Sequence, residues 1–410
     1  MVDNESQPGT KARSAMSPPL AGVTVLDFGQ LYCAPYCGFL LARMGADVIK
    51  IESPAGDLLR HRAEPSVETT PHILINSNKR GIRLDLKQPA GLRICEQLVS
   101  KADVVIENFA TGVMDRLGLG YDRLREVNPR LIYGSAKGFG SSGPYADLAA
   151  MDLTVQAMAG VMAVNGFADA PPVKAGVPVA DFSGGTHLAI AVVSALFQRE
   201  ITGLGQQIEV SMHDALLPLL ASSIGGYLAG ESYVERPGNH HGSMSVVPYN
   251  SYETSDGYVT ILCAADRHWR ALCGVMARED LRDDESLSTM RQRASRADEI
   301  DDAVESWTRQ RTKSEVFTAM RAVGIPAAPV KTIGEVLQDD HLIQRGMIQQ
   351  QDHPTMGKTL AFGSPMRFSG SEPVAPRPAP LLGQHSEEIL YEKLNLGSDE
   401  VAELKLLGII

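Results

Sequence analysis

The hydrophobic positions in the first third of the chain form short apolar runs that alternate with longer segments of helical spacing. Residues 22–28 and 47–52 are predicted to be buried strands, and residues 37–46 between them a helix that ends near Gly45. A strand, a helix and a strand at this spacing form a βαβ unit, whose crossover is right-handed almost without exception. The pattern repeats through residue 140. It predicts an α/β fold with a mostly parallel sheet, which binds ligands beyond the carboxyl ends of its strands.

The pattern changes near residue 232, where a long loop leads to a predicted strand at 257–264 and then to helices rich in charged residues. We expect a smaller second domain here, because 410 residues are more than one ordinary core contains. Two segments with prolines follow. Residues 324–330 are predicted to be a stiff apolar connector, and residues 368–382 an extended segment that runs over a surface.

The charge of the chain disfavours some classes of partner. The formal net charge is −11 and the isoelectric point is near 5.4, which argue against nucleic acid or an anionic membrane surface as the main partner. No apolar run is both long and uninterrupted enough to suggest a membrane span. The first residues lack the apolar core of a secretory signal, and the five cysteines are widely spread without a CxxC pair. We therefore expect a cytoplasmic protein without disulfide bonds.

The stretch Val177–Glu200, VPVADFSGGTHLAIAVVSALFQRE, places a carboxylate at the start of a long apolar helix. Asp181 is followed by Ser183, Gly184 and Gly185, which have little side-chain bulk. Unpaired N–H groups and the helix dipole favour negative charge at such a start, and glycines let a large ligand approach the backbone closely. Asp181 is therefore a candidate nucleophile. The alternative is a simple cap, since aspartate is among the best N-cap residues.

A local basic cluster consists of Lys79, Arg80, Arg83 and Lys87. Lysine and arginine bind phosphate through charge and bidentate hydrogen bonds, so the cluster is a candidate phosphate site. The alternative is a solvated strand edge.

Three other motifs are weaker candidates for a site. Residues 138–143 fit the dinucleotide pattern G-x-G-x-x-G, but Pro144 follows directly and no helix begins within the motif, which disfavours a nicotinamide site. Cys33 and Cys37 have no other metal ligands near them in sequence, so core packing is favoured. The pair His240-His241 lies in a loop with glycines and could bind a ligand, but further metal ligands at a recognisable spacing are missing. We expect no metal site.

A series of phrases in fixed order resembles the class III coenzyme A transferase family, which includes formyl-CoA and carnitine CoA-transferases and the α-methylacyl-CoA racemases. The phrases are PLAGVTVLDFG, LLARMGADVIKIESPAGD, NKRGIRLDLKQPAG, ADVVIENFATGVMDRLGLGYDRL, GFGSSGPYA, VADFSGGTHLAIAVVSAL, GQQIEVSMHDA and PLLGQHSEEIL. They extend from about Pro19 nearly to the C-terminus.

The resemblance implies a Rossmann-like large domain built from both chain ends, a smaller α+β domain between them, and an interlocked homodimer. The expected boundaries are a disordered tail at 1–18, the first part of the large CoA-binding domain at 19–231, the small domain with its connecting loop at 232–330, and a connector with the C-terminal return to the large domain at 331–410.

The same resemblance implies that Asp181 is the catalytic carboxylate of a CoA-transferase. Coenzyme A would move from an acyl-CoA donor to a carboxylic acid, such as a small dicarboxylate, through mixed-anhydride and aspartyl-CoA thioester intermediates. CoA and acyl-CoA are then substrates, and no cofactor is bound permanently. The substrate loop would contain Gly238, His240, His241 and Gly242 and would keep water from the intermediates. The implied CoA contacts are Tyr32, Cys33, Leu84, Lys87, Asn108, Phe109, Arg116, Leu117 and Met212.

One position separates the two enzyme branches of the family. Racemases pair the equivalent aspartate with a histidine of a GHD-like motif, because inversion of a carbon needs an acid and a base on opposite faces. Here the motif is Ala150-Met151-Asp152, and methionine cannot exchange a proton. A racemase or isomerase is therefore the weaker alternative. A CoA-binding protein without turnover is the alternative outside the enzymes. Transferases often have tyrosine at this position, so Met151 leaves the acceptor acid open.

Overall fold

The structure is a computed structural model that describes residues 17–60, 68–230, 233–242 and 245–410. Its strands are β1 Thr24–Asp27, β2 Asp47–Glu52, β3 Arg80–Arg83, β4 Val104–Glu107, β5 Ile132–Lys137, β6 Gln206–Ser211, β7 Tyr249–Thr254, β8 Gly257–Leu262, β9 Ala327–Pro329, β10 Ile348–His353 and β11 Gly357–Phe362. Its α-helices are α1 Cys33–Arg43, α2 Thr70–Asn76, α3 Pro89–Val99, α4 Val113–Arg116, α5 Tyr121–Val127, α6 Asp152–Met158, α7 Val161–Val164, α8 Val179–Thr202, α9 Met212–Leu216, α10 Ala221–Ala229, α11 Asp266–Val275, α12 Glu279–Arg282, α13 Met290–Ala294, α14 Ala297–Thr308, α15 Lys313–Ala322, α16 Ile333–Leu337, α17 Asp340–Gln344, α18 Ser386–Leu394 and α19 Ser398–Leu406.

The described residues form two compact units. The first unit takes its residues from Met1–Ala150, Asp181–Met212 and Asp340–Ile410, and the second from Met151–Ala180 and His213–Asp339. Most of the tail expected at 1–18 lies outside the described residues.

These limits differ from the predicted boundaries, because residues 151–180 and 213–230 were expected in the large domain. Backbone contacts of residues 166–167 with residues 237–238 explain why the segment 151–180 belongs to the second unit. Phe167 forms a β-bridge with Pro237, and the N–H of Gly238 donates to the carbonyl of Gly166.

The first unit contains a six-stranded sheet in the order β3-β2-β1-β4-β5-β6, and every neighbouring pair in it is parallel. The predicted α/β fold with a parallel sheet is confirmed. The residues of β1 and β4 are all buried, as expected of central strands covered on both faces. Because the strand order reverses between β1 and β4, a crevice opens beyond their carboxyl ends, which is where such sheets bind ligands.

Several elements of the first unit are absent from the sequence prediction. Helix α2 begins after Thr69, whose hydroxyl accepts from the N–H of His72. Strands β10 and β11 form an antiparallel hairpin. The helical pattern of residues 113–127 is divided between α4 and α5, because Gly118 adopts a left-handed φ of 74° and the chain turns there.

The second unit contains a three-stranded antiparallel sheet in the order β7-β8-β9 and a core around Trp269. Its strand β9 lies within the segment 324–330 that the sequence predicted to be a connector. Ala328 pairs with Thr260 of β8 at the edge of the sheet. A proline is tolerated at an edge strand, so Pro329 does not prevent this pairing.

Helix α8 has 24 residues and is the one helix among the described residues that is long and apolar enough, by length and composition, to cross a membrane. The sequence prediction of no such run is therefore wrong. Core helices of globular domains often have the same length and composition.

Candidate active site

Asp181 is the third residue of α8 and lies half-buried in its first turn. It does not occupy the N-cap position, so the prediction of a simple N-cap does not describe it. The N–H of the preceding Ala180 donates to Oδ1 of Asp152 at 2.8 Å, and Asp152 therefore satisfies a first-turn donor of α8. The helix dipole favours an ionised carboxylate in this turn.

The glycines after Asp181 allow α1 to pack against α8. A Cβ on Gly184 would lie 2.9 Å from Sγ of Cys33 and 2.9 Å from Cγ of Met212. A Cβ on Gly185 would lie 2.4 Å from the carbonyl oxygen of Cys33. The expectation that these glycines make room for a ligand is therefore wrong in its detail, because α1 fills the space.

Helix α1 brings aromatic side chains and a thiol to the start of α8. The ring of Phe182 lies 6.0 Å from that of Tyr32 and 4.6 Å from that of Tyr36, between centroids. Burial raises the pKa of the Cys33 thiol well above its usual value, and the nearby carboxylate of Asp181 raises it further. Cys33 is therefore a neutral thiol at ordinary pH, and the loop after β1 lies next to Asp181.

The loops after β1 and β4 are joined across the crevice. The N–H of Gln30 donates to Oδ1 of Asn108 at 2.8 Å, and Nδ2 of Asn108 donates to the carbonyl of Gln30 at 2.9 Å. Nζ of Lys137 donates to Glu107 at 2.7 Å and to the carbonyl of Phe109 at 2.7 Å. These bonds fix the loop backbone at the point where the strand order reverses.

The remaining predicted CoA contacts differ in exposure. Lys87 and Arg116 are exposed, and Leu117 is half-buried against the core of the first unit. Met212 is 7% exposed and lies next to Gly184. Leu84 is fully buried, so its side chain supports the end of β3 from the core side.

The basic cluster is not a phosphate site as a whole, because three of its four members have buried or acidic partners. Nζ of the buried Lys79 lies 2.7 Å from Oδ2 of Asp27. Arg80 pairs with the carboxylates of Asp47, Glu388 and Glu392. Nη1 of Arg83 donates to the carbonyl of Ile410 at 2.9 Å. Lys87 is the exposed member.

The predicted substrate-loop residues lie in the second unit. Gly238 has a left-handed φ of 65°, and a Cβ there would lie 2.6 Å from the ring of Phe167. His241 lies against the ring of Tyr249, with centroids 5.6 Å apart, and a Cβ on Gly242 would lie 3.3 Å from Oγ of Ser223. His240 forms a hydrogen bond with the carboxylate of Asp301. Met151, which precedes α6, is 52% exposed.

Two further observations concern the glycine motif and possible metal ligands. In residues 138–143, Gly140 and Gly143 have left-handed φ, and the next helix begins only at Asp152, unlike a dinucleotide-binding turn. Among the described residues, no three His, Cys, Asp or Glu side chains are grouped so that they could hold a metal ion.

Sequence reasoning missed Asp152 and Phe182. Asp152 belongs to the Ala150-Met151-Asp152 motif, in which the position before it distinguishes the branches of the family. Its bond to Ala180 joins residues 28 positions apart, and nothing local signals it. Phe182 follows Asp181 directly, and an aromatic at a helix start is normally taken as core.

Comparison with known proteins identifies the family. A model of CoA-transferase family III matches residues 20–386. The formyl-CoA:oxalate CoA-transferase of Streptomyces coelicolor is 34% identical over 409 residues, which cover 95% of this chain and 99% of that protein. The enzyme of the same name from Rhodopseudomonas palustris strain HaA2 is 35% identical over 412 residues, covering 95% and 96%.

Solved structures agree with this result. A CAIB/BAIF family protein from Brucella suis superposes with a TM-score of 0.82 at 34% identity, covering 92% of this chain and 100% of that one. The Rv3272 protein of Mycobacterium tuberculosis gives a TM-score of 0.80 at 28% identity, covering 92% and 100%. The chain belongs to CoA-transferase family III, and it is a CoA-transferase.

Proposed function

We propose that this enzyme moves coenzyme A from an acyl-CoA donor to a small dicarboxylate, with Asp181 as nucleophile. The names of the relatives suggest formyl-CoA as donor and oxalate as acceptor. The observation that carries the proposal is the position of Asp181 in the first turn of α8, next to the loop after β1 at the point where the strand order reverses. Sheets of this kind bind ligands at this point, which supports a role for the Asp181 carboxylate in the reaction.

The first half of the reaction transfers CoA to the enzyme. A carboxylate oxygen of Asp181 attacks the thioester carbon, the C–S bond breaks, and a mixed anhydride and CoA thiolate result. The thiolate then attacks the Asp181 carbonyl of the anhydride. The donor acid leaves as a carboxylate, and Asp181 becomes an aspartyl-CoA thioester.

The second half repeats these steps with the acceptor. A carboxylate of the acceptor attacks the aspartyl thioester, which gives a second anhydride and CoA thiolate. The thiolate attacks the acceptor's carbonyl, so a new acyl-CoA forms and Asp181 returns as a carboxylate. The neutral thiol of Cys33 does not compete as a nucleophile, because the thiolate is the reactive form.

The residues proposed for binding divide into two groups. Tyr32, Cys33, Asn108 and Phe109 would form the CoA crevice at the ends of β1 and β4, and Leu84 and Met212 would support it from the core. The exposed Lys87 and Arg116, with Leu117, would meet the nucleotide end of CoA. Met151 and the substrate loop that contains Gly238, His240, His241 and Gly242 are proposed to enclose the acid substrate.

We also propose that the enzyme works as an interlocked homodimer in the cytoplasm, with a large domain built from both chain ends. Ile190, Phe197 and Ile201 share one face of α8 and are 60%, 71% and 74% exposed. A contiguous apolar face of this kind is typical of a protein interface. A second copy of this chain is the proposed occupant, and light scattering coupled to size exclusion would test it.

The experiment that tests the proposed chemistry traps the aspartyl-CoA thioester. Enzyme mixed with formyl-CoA or succinyl-CoA is treated with hydroxylamine, digested and mapped by mass spectrometry. We expect a hydroxamate at Asp181 in the wild type and none in Asp181→Asn. An unmodified Asp181 in enzyme that binds CoA would reject the mechanism in favour of a CoA-binding protein without turnover.

A further inference from the structure

A loop of the second unit, residues 236–242, is linked to helix α14 of that unit through His240. Arg236 donates to the carbonyls of Phe167 and Ala168 at one end of the loop. Nδ1 of His240 lies 3.1 Å from the carbonyl oxygen of Pro237, and its Nε2 lies 2.6 Å from Oδ2 of Asp301 on α14. His240 therefore links the turn of the loop to a helix 61 residues further along the chain.

Each ring nitrogen of His240 has an oxygen acceptor as its nearest partner, and Nε2 also lies 3.2 Å from Nδ2 of Asn250, which itself donates to Oδ2 of Asp301. A neutral imidazole has one N–H, so it can donate to only one of the two oxygens, whereas an imidazolium donates to both. The arrangement therefore fits the protonated ring. A charge-assisted bond to a carboxylate is about twice as strong as a neutral one.

Asp301 is itself held rigidly. Its Oδ1 accepts from the hydroxyl of Tyr252 at 2.6 Å, and its Oδ2 accepts from Nδ2 of Asn250 at 2.8 Å. Tyr252 is fully buried in the core of the second unit. The carboxylate thus has donors on both oxygens and offers His240 a fixed position.

We propose that the ion pair between His240 and Asp301 is a positioning device that holds loop 236–242 in the arrangement needed for CoA transfer. This inference rests on the proposed function, which assigns the loop to the acid substrate. Neither side chain is a catalytic residue in this proposal. Both act through the loop backbone and through its neighbours Gly238 and His241.

The pair should respond to pH. The hydrogen bond to Asp301 raises the pKa of His240, and partial burial opposes this effect. The ionisable groups that act on the ring are Asp301 and Asp298 on α14. Tyr252 on β7, whose pKa burial raises, shares the carboxylate of Asp301. Because the folded pKa lies above the unfolded value of about 6.5, the pair stabilises the loop fully below that value. The stabilisation is lost as the pH rises through the folded pKa.

Hydrogen exchange tests the device without any CoA chemistry. Exchange of peptides covering 236–242 is followed by mass spectrometry from about pH 6 to about pH 9, corrected for intrinsic rates, across the range in which histidine titrates. In the wild type we expect protection to fall about tenfold as His240 loses its proton. In His240→Gln and Asp301→Asn the protection should be low and independent of pH.

Matched controls are Asp302→Asn, an exposed neighbour on the same helix, and His341→Gln, an exposed histidine of α17. Both should behave like the wild type in exchange and in transfer. Exchange in His240→Gln that keeps the wild-type pH dependence would overturn the proposal.

Steady-state transfer provides the second readout. His240→Gln and Asp301→Asn should both lower kcat about tenfold, leave KM for the acyl-CoA donor nearly unchanged, and lose the decline of kcat at alkaline pH. Altered exchange with unaltered kcat at every pH would also overturn the positioning role. If wild-type Asp181 is never labelled by acyl-CoA, the proposed function fails, and the exchange experiment still decides on the ion pair.

Discussion

Gly184 on α8 packs directly on the thiol of Cys33 on α1, and a Cβ at this glycine would lie 2.9 Å from that sulfur. Real Cβ atoms essentially never approach a neighbour so closely, so the Cys33 and Met212 side chains or the helices that carry them must shift if the glycine is replaced. The contact joins the loop after β1 to the turn that carries Asp181. Because Gly184 has no side chain, the start of α1 and the first turns of α8 can pack this closely.

We predict that Gly184→Ala destabilises the protein by about 1–3 kcal/mol, the usual cost of overpacking a core. Chemical denaturation measures this change. The double variant Cys33→Ala/Gly184→Ala should recover part of the loss, since it removes one of the two clashing atoms. Gly274→Ala is the control, because its Cβ meets nothing within 4 Å and lies in α11. Equal stability of the Gly184 and Gly274 variants would show that α1 and α8 can separate freely.

We predict that Asp181→Ala lowers transfer by at least ~10³-fold, as loss of a nucleophile does. Its unfolding free energy should fall by no more than about 1 kcal/mol, the contribution of a first-turn carboxylate to the helix dipole. Coupled transfer assays and thermal denaturation measure the two effects. Asp399→Ala, at an exposed first-turn aspartate of α19, should leave transfer unchanged. An unfolded Asp181→Ala protein would instead make Asp181 a structural residue.

The sheet could be predicted because its strands are local apolar runs, and β1 and β2 lie within the segments 22–28 and 47–52 that were predicted to be strands. The hairpin of β10 and β11 could not, since IQQQDH has no alternating apolar pattern and its pairing depends on a partner strand. The segment at Ala327–Pro329 became a strand for the same reason: β8 supplies the bonds.

Part of the candidate site could likewise be predicted from the sequence, and part could not. The prediction that Asp181 is catalytic depends on one continuous sequence motif. In the structure, the start of α1 lies next to Asp181. The basic cluster could not be interpreted locally, because the acids that neutralise it are far away in sequence. Asp27 lies 52 residues from Lys79, and Glu388 lies 308 residues from Arg80. Charge in a sequence window does not indicate which charges remain free after folding.

The buried pair of Asp27 and Lys79 gives a third prediction. Removing only the lysine, in Lys79→Met, leaves Asp27 as an unpaired buried charge and should cost about 3–5 kcal/mol. The double variant Asp27→Asn/Lys79→Met should be closer to the wild type. Denaturant titrations measure both, with the exposed Lys101→Met as control. Equal losses in the single and double variants would mean that the pair has no coupling.

The same pair predicts a dependence of stability on pH. Burial lowers the pKa of Lys79 to about 8, whereas a lysine in the unfolded chain titrates near 10.5. Between these values the unfolded chain binds more protons, so stability from this group rises with pH, by at most about 1.4 kcal/mol per unit. The unfolding free energy of the wild type, relative to Asp27→Asn/Lys79→Met, should therefore increase from pH 8 to pH 10. A constant difference would contradict the lowered pKa.

The exposed methionine at position 151 separates transferase from racemase activity. Inversion of an α-carbon needs a proton acceptor and a proton donor on opposite faces, and a thioether can be neither. We predict that 2-methylacyl-CoA incubated with the enzyme in D₂O gains no deuterium at its α-carbon, as followed by NMR or mass spectrometry. Met151→His should remain without exchange if Asp181 is oriented for attack on a carbonyl, and it should retain some CoA transfer. Deuterium incorporation by the wild type would place a second acid–base group in the site and would favour the racemase branch.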